Sequence, residues 1–211
     1  PRAEAVFWPG CALMNLDGAI LDKTLDILRR AEPEMQLACG CCGQPTVYLF
    51  PEKMDKRRKK LARLLRKQGV QRIYTACPNC TLQLRELKDF EIIPVWPVLA
   101  AHIRPEDITT PGGSFIWHDP CPTRKEPDQQ EAARKLLAVS GCDCCQPEHT
   151  GCQTRCCGNF HMMAATNPEA SARMRQARLA EFPEGKTVVS SCEGCLGAFR
   201  GEGRSTVHLL E

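Results

Sequence analysis

Apolar runs of strand length alternate with amphipathic stretches along this chain, and the same order runs twice. Residues 5–8 are continuously apolar (Ala5, Val6, Phe7, Trp8), as a strand buried on both faces requires, and they end at Pro9-Gly10-Cys11. A helix is predicted over 17–30, with Ile20, Leu21, Leu25 and Leu28 on one stripe and Asp17 as its N-cap. A second helix over 52–68 carries Met54, Leu61, Leu64 and Leu65 and stops at Gly69. Residues 70–76 read as a strand that delivers Cys77, residues 81–87 as a helix and residues 91–95 as the next strand.

The later part of the chain repeats this order. A strand over 114–117 leads into His118-Asp119-Pro120-Cys121, and a helix follows over 129–139. Another helix begins near Asn167-Pro168-Glu169, a cap followed by proline in the first turn. A strand over 187–190 delivers Cys192, and 206–210 form the last strand. Strands alternating with helices predict the α/β class, with a mainly parallel sheet in each half. The expected domains are 1–104 and 114–211, joined by a linker over 105–113 that holds Pro105, Pro111, Gly112 and Gly113.

Composition narrows the functional classes. A hydrophobic content of 43% and a charged content of 25% are those of a soluble globular protein, and a net charge of +3 is too small to argue for nucleic acid. No apolar run approaches the roughly 18–20 residues that span a bilayer. The opening residues form no secretory leader, so a cytoplasmic location is expected, with any membrane association supplied through partners. Because the sequence opens on Pro1 rather than Met, it is expected to be a piece of a longer protein. Fifteen cysteines, an odd number in a chain of this size, fit reduced thiols that hold metal better than a disulfide scaffold.

Ten of those cysteines form two matching frameworks. The first is Cys11, Cys41-Cys42-Gly43 and Cys77-Pro78-Asn79-Cys80; the second is Cys121, Cys156-Cys157-Gly158 and Cys192-Glu193-Gly194-Cys195. In both, 34 residues separate the doublet from the C-x-x-C pair, while the lone cysteine precedes the doublet by a gap of 29 residues in one and 34 in the other. Cys11, Cys77, Cys121 and Cys192 each follow a predicted strand, and ligand sites in parallel sheets form outside the carboxyl ends of the strands. The C-x-x-C pairs also open helices, whose N-termini favour thiolate. Gly43 and Gly158 are expected to let the backbone approach a cluster closely. Two metal sites, one per half, are the expectation.

Zinc closes with four ligands, and cubane iron–sulfur clusters also take four cysteines, usually in compact runs. A fifth thiolate suits a larger or more open cluster. The arrangement resembles the cysteine-rich CCG domain, found in tandem in the disulfide-cleaving subunit of heterodisulfide reductase and in cluster-bearing subunits of glycerol-3-phosphate, lactate and glycolate oxidising enzymes. The resemblance runs from Val6 to Glu211 and includes His118-Asp119-Pro120-Cys121 and Val207-His208-Leu209-Leu210-Glu211. It implies two pseudo-twofold-related Rossmann-like halves, each with a metal site at the carboxyl edge of its sheet.

It further implies two noncubane 4Fe-4S clusters, one on Cys11, Cys41, Cys42, Cys77 and Cys80, the other on Cys121, Cys156, Cys157, Cys192 and Cys195. In the heterodisulfide reductases the disulfide is cleaved between the two clusters. The implied partners are a ferredoxin-like or flavoprotein redox subunit and a small disulfide or thiol substrate. Two alternatives stay open: an electron-transfer subunit of a flavin-dependent dehydrogenase with no substrate of its own, and a structural zinc-binding module.

Some features fall outside the frameworks. Cys39, Cys142, Cys144, Cys145 and Cys152 have no framework position, and the group from 142 to 152 is read as a loop of inert thiols. His118 is a candidate proton donor at the second site, set against a role in orienting the loop that carries Cys121. Lys53, Lys56, Arg57, Arg58, Lys59, Lys60, Arg63, Arg66 and Lys67 make one helix basic, which is read as a solvated face. Trp8, Trp96 and Trp117 are read as core.

Overall fold

Two four-stranded sheets, parallel throughout, carry the chain. The computed structural model describes residues 2–109 and 112–211; Pro1, and Thr110 and Pro111 of the expected linker, lie outside them. The chain divides into two units, Pro1–His102 and Ile103–Glu211.

The first unit runs β1 (Ala5–Trp8), α1 (Gly18–Leu28), β2 (Gln36–Leu37), α2 (Gln44–Leu49), α3 (Met54–Lys67), β3 (Arg72–Thr75), α4 (Pro78–Leu84), β4 (Glu91–Pro94) and α5 (Val95–His102). The second runs β5 (Ser114–His118), α6 (Pro127–Ser140), β6 (Asp143–Cys145), α7 (Met163–Thr166), α8 (Pro168–Leu179), β7 (Thr187–Ser190), α9 (Glu193–Arg200) and β8 (Thr206–His208).

The strand orders are β2-β1-β3-β4 and β6-β5-β7-β8, so both sheets place their first strand at the centre. From β1 the chain moves outward to β2, then crosses back to β3 on the other side. Where the direction reverses, the connections leave the sheet on opposite faces and open a crevice at the carboxyl ends of the two central strands. β1 and β3 flank that crevice in the first unit, β5 and β7 in the second.

Local chemistry accounts for most element boundaries. Asp17 Oδ1 accepts the Ala19 N–H at 3.0 Å and starts α1. Asn167 Oδ1 accepts the Ala170 N–H at 3.1 Å and starts α8, with Pro168 in the first turn where a missing N–H costs nothing. Gly69, at φ +80°, ends α3, and the Val70 N–H reaches back to the Leu65 carbonyl at 3.1 Å. All four residues of β1 are buried, as their unbroken apolar run requires.

Several elements differ from the sequence expectation. Leu64, expected on the apolar stripe of α3, is 55% exposed; Met54 and Leu65 of that stripe are buried as expected, and Ala62 joins them. The helix expected over 81–87 opens earlier, at Pro78. The strand expected to include Val95 ends at Pro94, and the chain turns directly into α5. β2 and β6 have no counterpart in the sequence pattern, since a strand of two or three residues has no measurable period. Trp8, Trp96 and Trp117 are each at most 3% exposed and belong to the core. No helix among the described residues is long and apolar enough to cross a membrane.

Candidate metal centre

In the second unit the crevice is lined with sulfur. Cys121 follows β5, Cys192 caps α9 directly after β7, Cys195 lies in α9, and Cys156 and Cys157 come in from the long connection between β6 and α7. All five are buried and pack as one cluster with Ile116, Phe182, Val188, Leu196 and Phe199. Cys121 Sγ stands 3.6 Å from Cys156 Sγ, and the Gly158 N–H donates to Cys156 Sγ at 3.3 Å.

The thiols hold one another in unequal protonation states. Hydrogen bonds from the Cys121 and Cys157 thiols pull Cys156 far down, and the same contacts push Cys121 and Cys157 up. A hydrogen bond from Cys195 lowers Cys192, while its bonds to Cys157 and Cys192 raise Cys195. Five sulfurs packed this closely cannot all ionise by themselves, because each new anion raises its neighbours. A bound cation removes that conflict by replacing the shared protons. The donor set therefore fits a metal or metal cluster.

The first unit assembles its five thiols in the same crevice. Cys77 caps α4, Cys80 lies within it, and Cys42 and Cys80 sit in the buried core beside Val6, Trp8 and Ile73, with Cys77 packed against them. A hydrogen bond from Cys80 brings Cys42 down to about 7, and that bond together with one to Cys77 raises Cys80. Partial desolvation and the adjoining Cys41 thiol push Cys11 up to about 11. Gln44 Nε2 donates to Asn79 Oδ1 at 3.0 Å, which ties the residues after the doublet to the C-x-x-C turn. This site is more open than the other: Cys11 is exposed, and Cys41 and Cys77 are half-buried.

Around the second site, one carboxylate organises the turn. Asp119 accepts from Trp117 Nε1 at 2.8 Å, from Arg134 at 2.7 and 3.0 Å, from Thr150 Oγ1 at 2.7 Å and from the Gly151 N–H at 2.8 Å. Burial alone would raise its carboxyl, but these bonds outweigh burial and hold it down at about 2. Its own carbonyl accepts from Thr154 Oγ1 at 2.8 Å. The turn carrying Cys121 is thus fastened to the segment that leads into Cys156. Asp119 enters the sequence reading only within the segment His118-Asp119-Pro120-Cys121, with no role of its own; that segment is the one signal that points to it.

His118 ends β5 and is wholly buried. One of its ring nitrogens and the Cys157 and Cys195 sulfurs all lie within 4.8 Å of one another. Burial pushes its pKa down to about 3, so the ring is neutral. Its Nδ1 accepts from Arg178 Nε at 3.1 Å, and its Nε2 has no hydrogen-bond partner among the described residues. A buried polar atom open beside a set of thiols is a second sign that the site is built for a further group.

The glycines act differently from the expectation. Gly43 and Gly158 adopt φ of +89° and +85°, but a β-carbon there would meet Arg57 and Met54 in the first case and the Ser171 carbonyl in the second. They let the doublet loops lie against α3 and α8. The glycine that faces sulfur is Gly10, where a β-carbon would stand 2.9 Å from Cys80 Sγ and 3.2 Å from Cys77 Cβ. Among the remaining cysteines, Cys39 and Cys152 are exposed. Cys144 and Cys145 belong to β6 rather than to a loop. Cys142 and Cys144 pack beside Phe115 and Trp117, and Cys145 packs beside the thiol cluster.

Two parallel α/β units, each gathering thiols at the carboxyl edge of its sheet, define a tandem cysteine-rich protein with the donors for metal. The chain belongs to the CCG cysteine-rich domain family, which it matches in two copies over residues 5–85 and 115–200. No curated protein matches it. Among solved structures it is similar to a glutamate racemase from Aquifex pyrophilus, with 16% identity over 98% of this chain and 79% of that one and a TM-score of 0.38. Glutamate racemase isoform RacE1 from Bacillus anthracis gives 13% identity over 100% and 77%, with a TM-score of 0.37. An aspartate racemase homologue from Pyrococcus horikoshii OT3 gives 12% identity over 98% and 92%, with a TM-score of 0.34.

Proposed function

We propose that this chain is an iron–sulfur oxidoreductase subunit or domain of the heterodisulfide reductase type, acting on a disulfide or thiol substrate. The observation that carries this reading is the convergence of Cys121, Cys156, Cys157, Cys192 and Cys195 in one buried cluster, one thiol more than zinc or a cubane takes. Cys11, Cys41, Cys42, Cys77 and Cys80 would hold the matching group in the first unit. The cofactor is a noncubane 4Fe-4S cluster in each unit, and when bound it supplies one-electron chemistry. The two CCG domains are 1–104 and 114–211, with 105–113 between them. Electrons come from a ferredoxin-like or flavoprotein subunit in the cytoplasm.

The chain's own residues supply the surroundings. Cys77 and Cys192 cap α4 and α9, and at Cys192 the backbone N–H groups of Gly194 and Cys195 stabilise thiolate. Backbone N–H groups of Gly158 and Phe160 do the same for Cys156. Phe182, Leu196 and Phe199 exclude water from the second site, which strengthens each of these interactions. Anaerobic purification followed by iron, sulfide and zinc analysis tests the reading. Iron and acid-labile sulfide in roughly equal amounts support it; zinc without sulfide overturns it.

A further inference from the structure

We propose that His118 is a fixed N–H donor to the sulfur cage of the second unit, a positioning residue rather than a ligand or a proton carrier. This rests on the cluster reading above.

The tautomer follows from the neighbours. A guanidinium has donors and no acceptor, so the 3.1 Å contact from Arg178 Nε obliges His118 Nδ1 to accept. The ring proton of the neutral imidazole is then on Nε2. Arg178 is itself held in place, donating to the His149 carbonyl at 2.7 Å and to Glu181 at 2.8 Å. With the Nδ1 lone pair engaged and Nε2 protonated, neither nitrogen has a free pair for a metal.

The donor has no hydrogen-bond partner among the described residues. Phe182 and Phe199 meet the imidazole edge-on, with ring centroids 6.2 and 5.0 Å away, and the residue has no exposed surface. A buried N–H left unpaired costs about 1–3 kcal/mol. One nitrogen of the ring stands within 4.8 Å of the Cys157 and Cys195 sulfurs, which makes sulfur the polar chemistry at hand. Hydrogen bonds to cluster sulfurs stabilise the reduced, more negative state and so set the reduction potential.

The first unit repeats the device with different chemistry. Trp8 pairs with Thr75 across the sheet as His118 pairs with Ser190, and each ring stands three residues before the lone cysteine of its framework. The Trp8 indole N–H is buried without a partner among the described residues, in the same core cluster as Cys42 and Cys80. Indole can donate but cannot accept or ligate. What the two positions share is donation.

The test is pulsed EPR on anaerobically loaded, reduced protein labelled with 15N-histidine, together with redox titration of H118Q and H118F. A weak 15N coupling and an exchangeable proton are expected in the wild-type chain, with the coupling lost in H118Q. One of the reduction steps is expected to move to lower potential in H118F and to stay near the wild-type value in H118Q, which retains an N–H. A fully loaded H118F with unchanged potential, or a wild-type coupling of the size given by a directly bonded imidazole, overturns the assignment. If H118F does not load, the wild-type coupling decides: its absence in loaded protein overturns the assignment alone. Absence of iron and sulfide removes the cluster reading and this one with it.

Discussion

Gly158 lies so close to the carbonyl of Ser171 that a β-carbon on the glycine would stand 2.2 Å from that oxygen. Its counterpart Gly43 faces the side chain of Arg57, whose Nε would be 2.8 Å away. Both substitutions to alanine incur the left-handed backbone penalty of roughly 1–2 kcal/mol. At Gly43 the guanidinium can swing aside; at Gly158 the obstacle is the backbone of α8. We expect G43A to lose about 1–2 kcal/mol and G158A about 3 kcal/mol or more, adding an overpacking term. Urea unfolding of the two variants checks this, and equal losses would show that α8 yields.

Gly10 has no room for a side chain on the sulfur side. An added methyl would displace Cys80 and Cys77 together, so G10A is expected to load about half the wild-type metal, with the second unit unaffected. Metal content per chain is the measurement. Full loading of G10A would mean that the first site tolerates more displacement than its geometry implies.

Glu181 and Arg178 form a buried ion pair, 5% and 0% exposed at their side chains, and Glu181 also accepts from His149 and Arg155. Removing the carboxylate leaves the Arg178 charge buried and unmatched, and such breaks cost roughly 3–5 kcal/mol. E181A is therefore expected to be one of the more damaging single changes in the second unit. Thermal or urea unfolding measures it; a loss below about 1 kcal/mol would show that Arg178 escapes to water.

Acid sensitivity should begin well above the carboxylate range. Burial lowers the pKa of His118 to about 3 and of His208 to about 4. In the unfolded chain both titrate near 6.5. As pH falls through about 6.5 the unfolded state takes up imidazole protons that the native state refuses, so the imidazole contribution is complete above that pH and is lost towards 3–4. Each imidazole contributes a slope of about 1.4 kcal/mol per pH unit in that window. Unfolding free energies of metal-free protein from urea titrations between pH 7 and 5 should fall accordingly, and H208N should reduce the slope by about 1.4 kcal/mol per pH unit. Asp119, held low, contributes only at more acid pH.

The frame of the molecule is legible where sequence features are local. The unbroken apolar run at Ala5–Trp8 specifies a strand buried on both faces, and the cap at Asn167 specifies where α8 starts. The cysteine spacings point to shared sites because Cys11, Cys77, Cys121 and Cys192 each fall just after a strand. What escapes depends on partners remote in sequence. Nothing local to Gly158 announces the Ser171 carbonyl, and the role of Asp119 appears only with Arg134, Thr150 and Gly151 around it. β6 is hidden because its residues, Asp143, Cys144 and Cys145, carry no strand signature beyond their pairing with β5.

The central pairing of β1 with β3, and of β5 with β7, also closes the long loops between the thiols. Cys11 and Cys77 are 66 positions apart in sequence, and Cys121 and Cys192 are 71 apart. Only the closed sheet brings them within reach of one ion, so the entropy of gathering them is met by strand pairing and core burial. In a zinc finger the metal drives the fold; here strand pairing and core burial themselves gather the thiols. The two crevices also differ in access: Cys11 is exposed at the mouth of the first, while all five sulfurs of the second are buried, so a group from solution meets an open site in one unit and a closed one in the other.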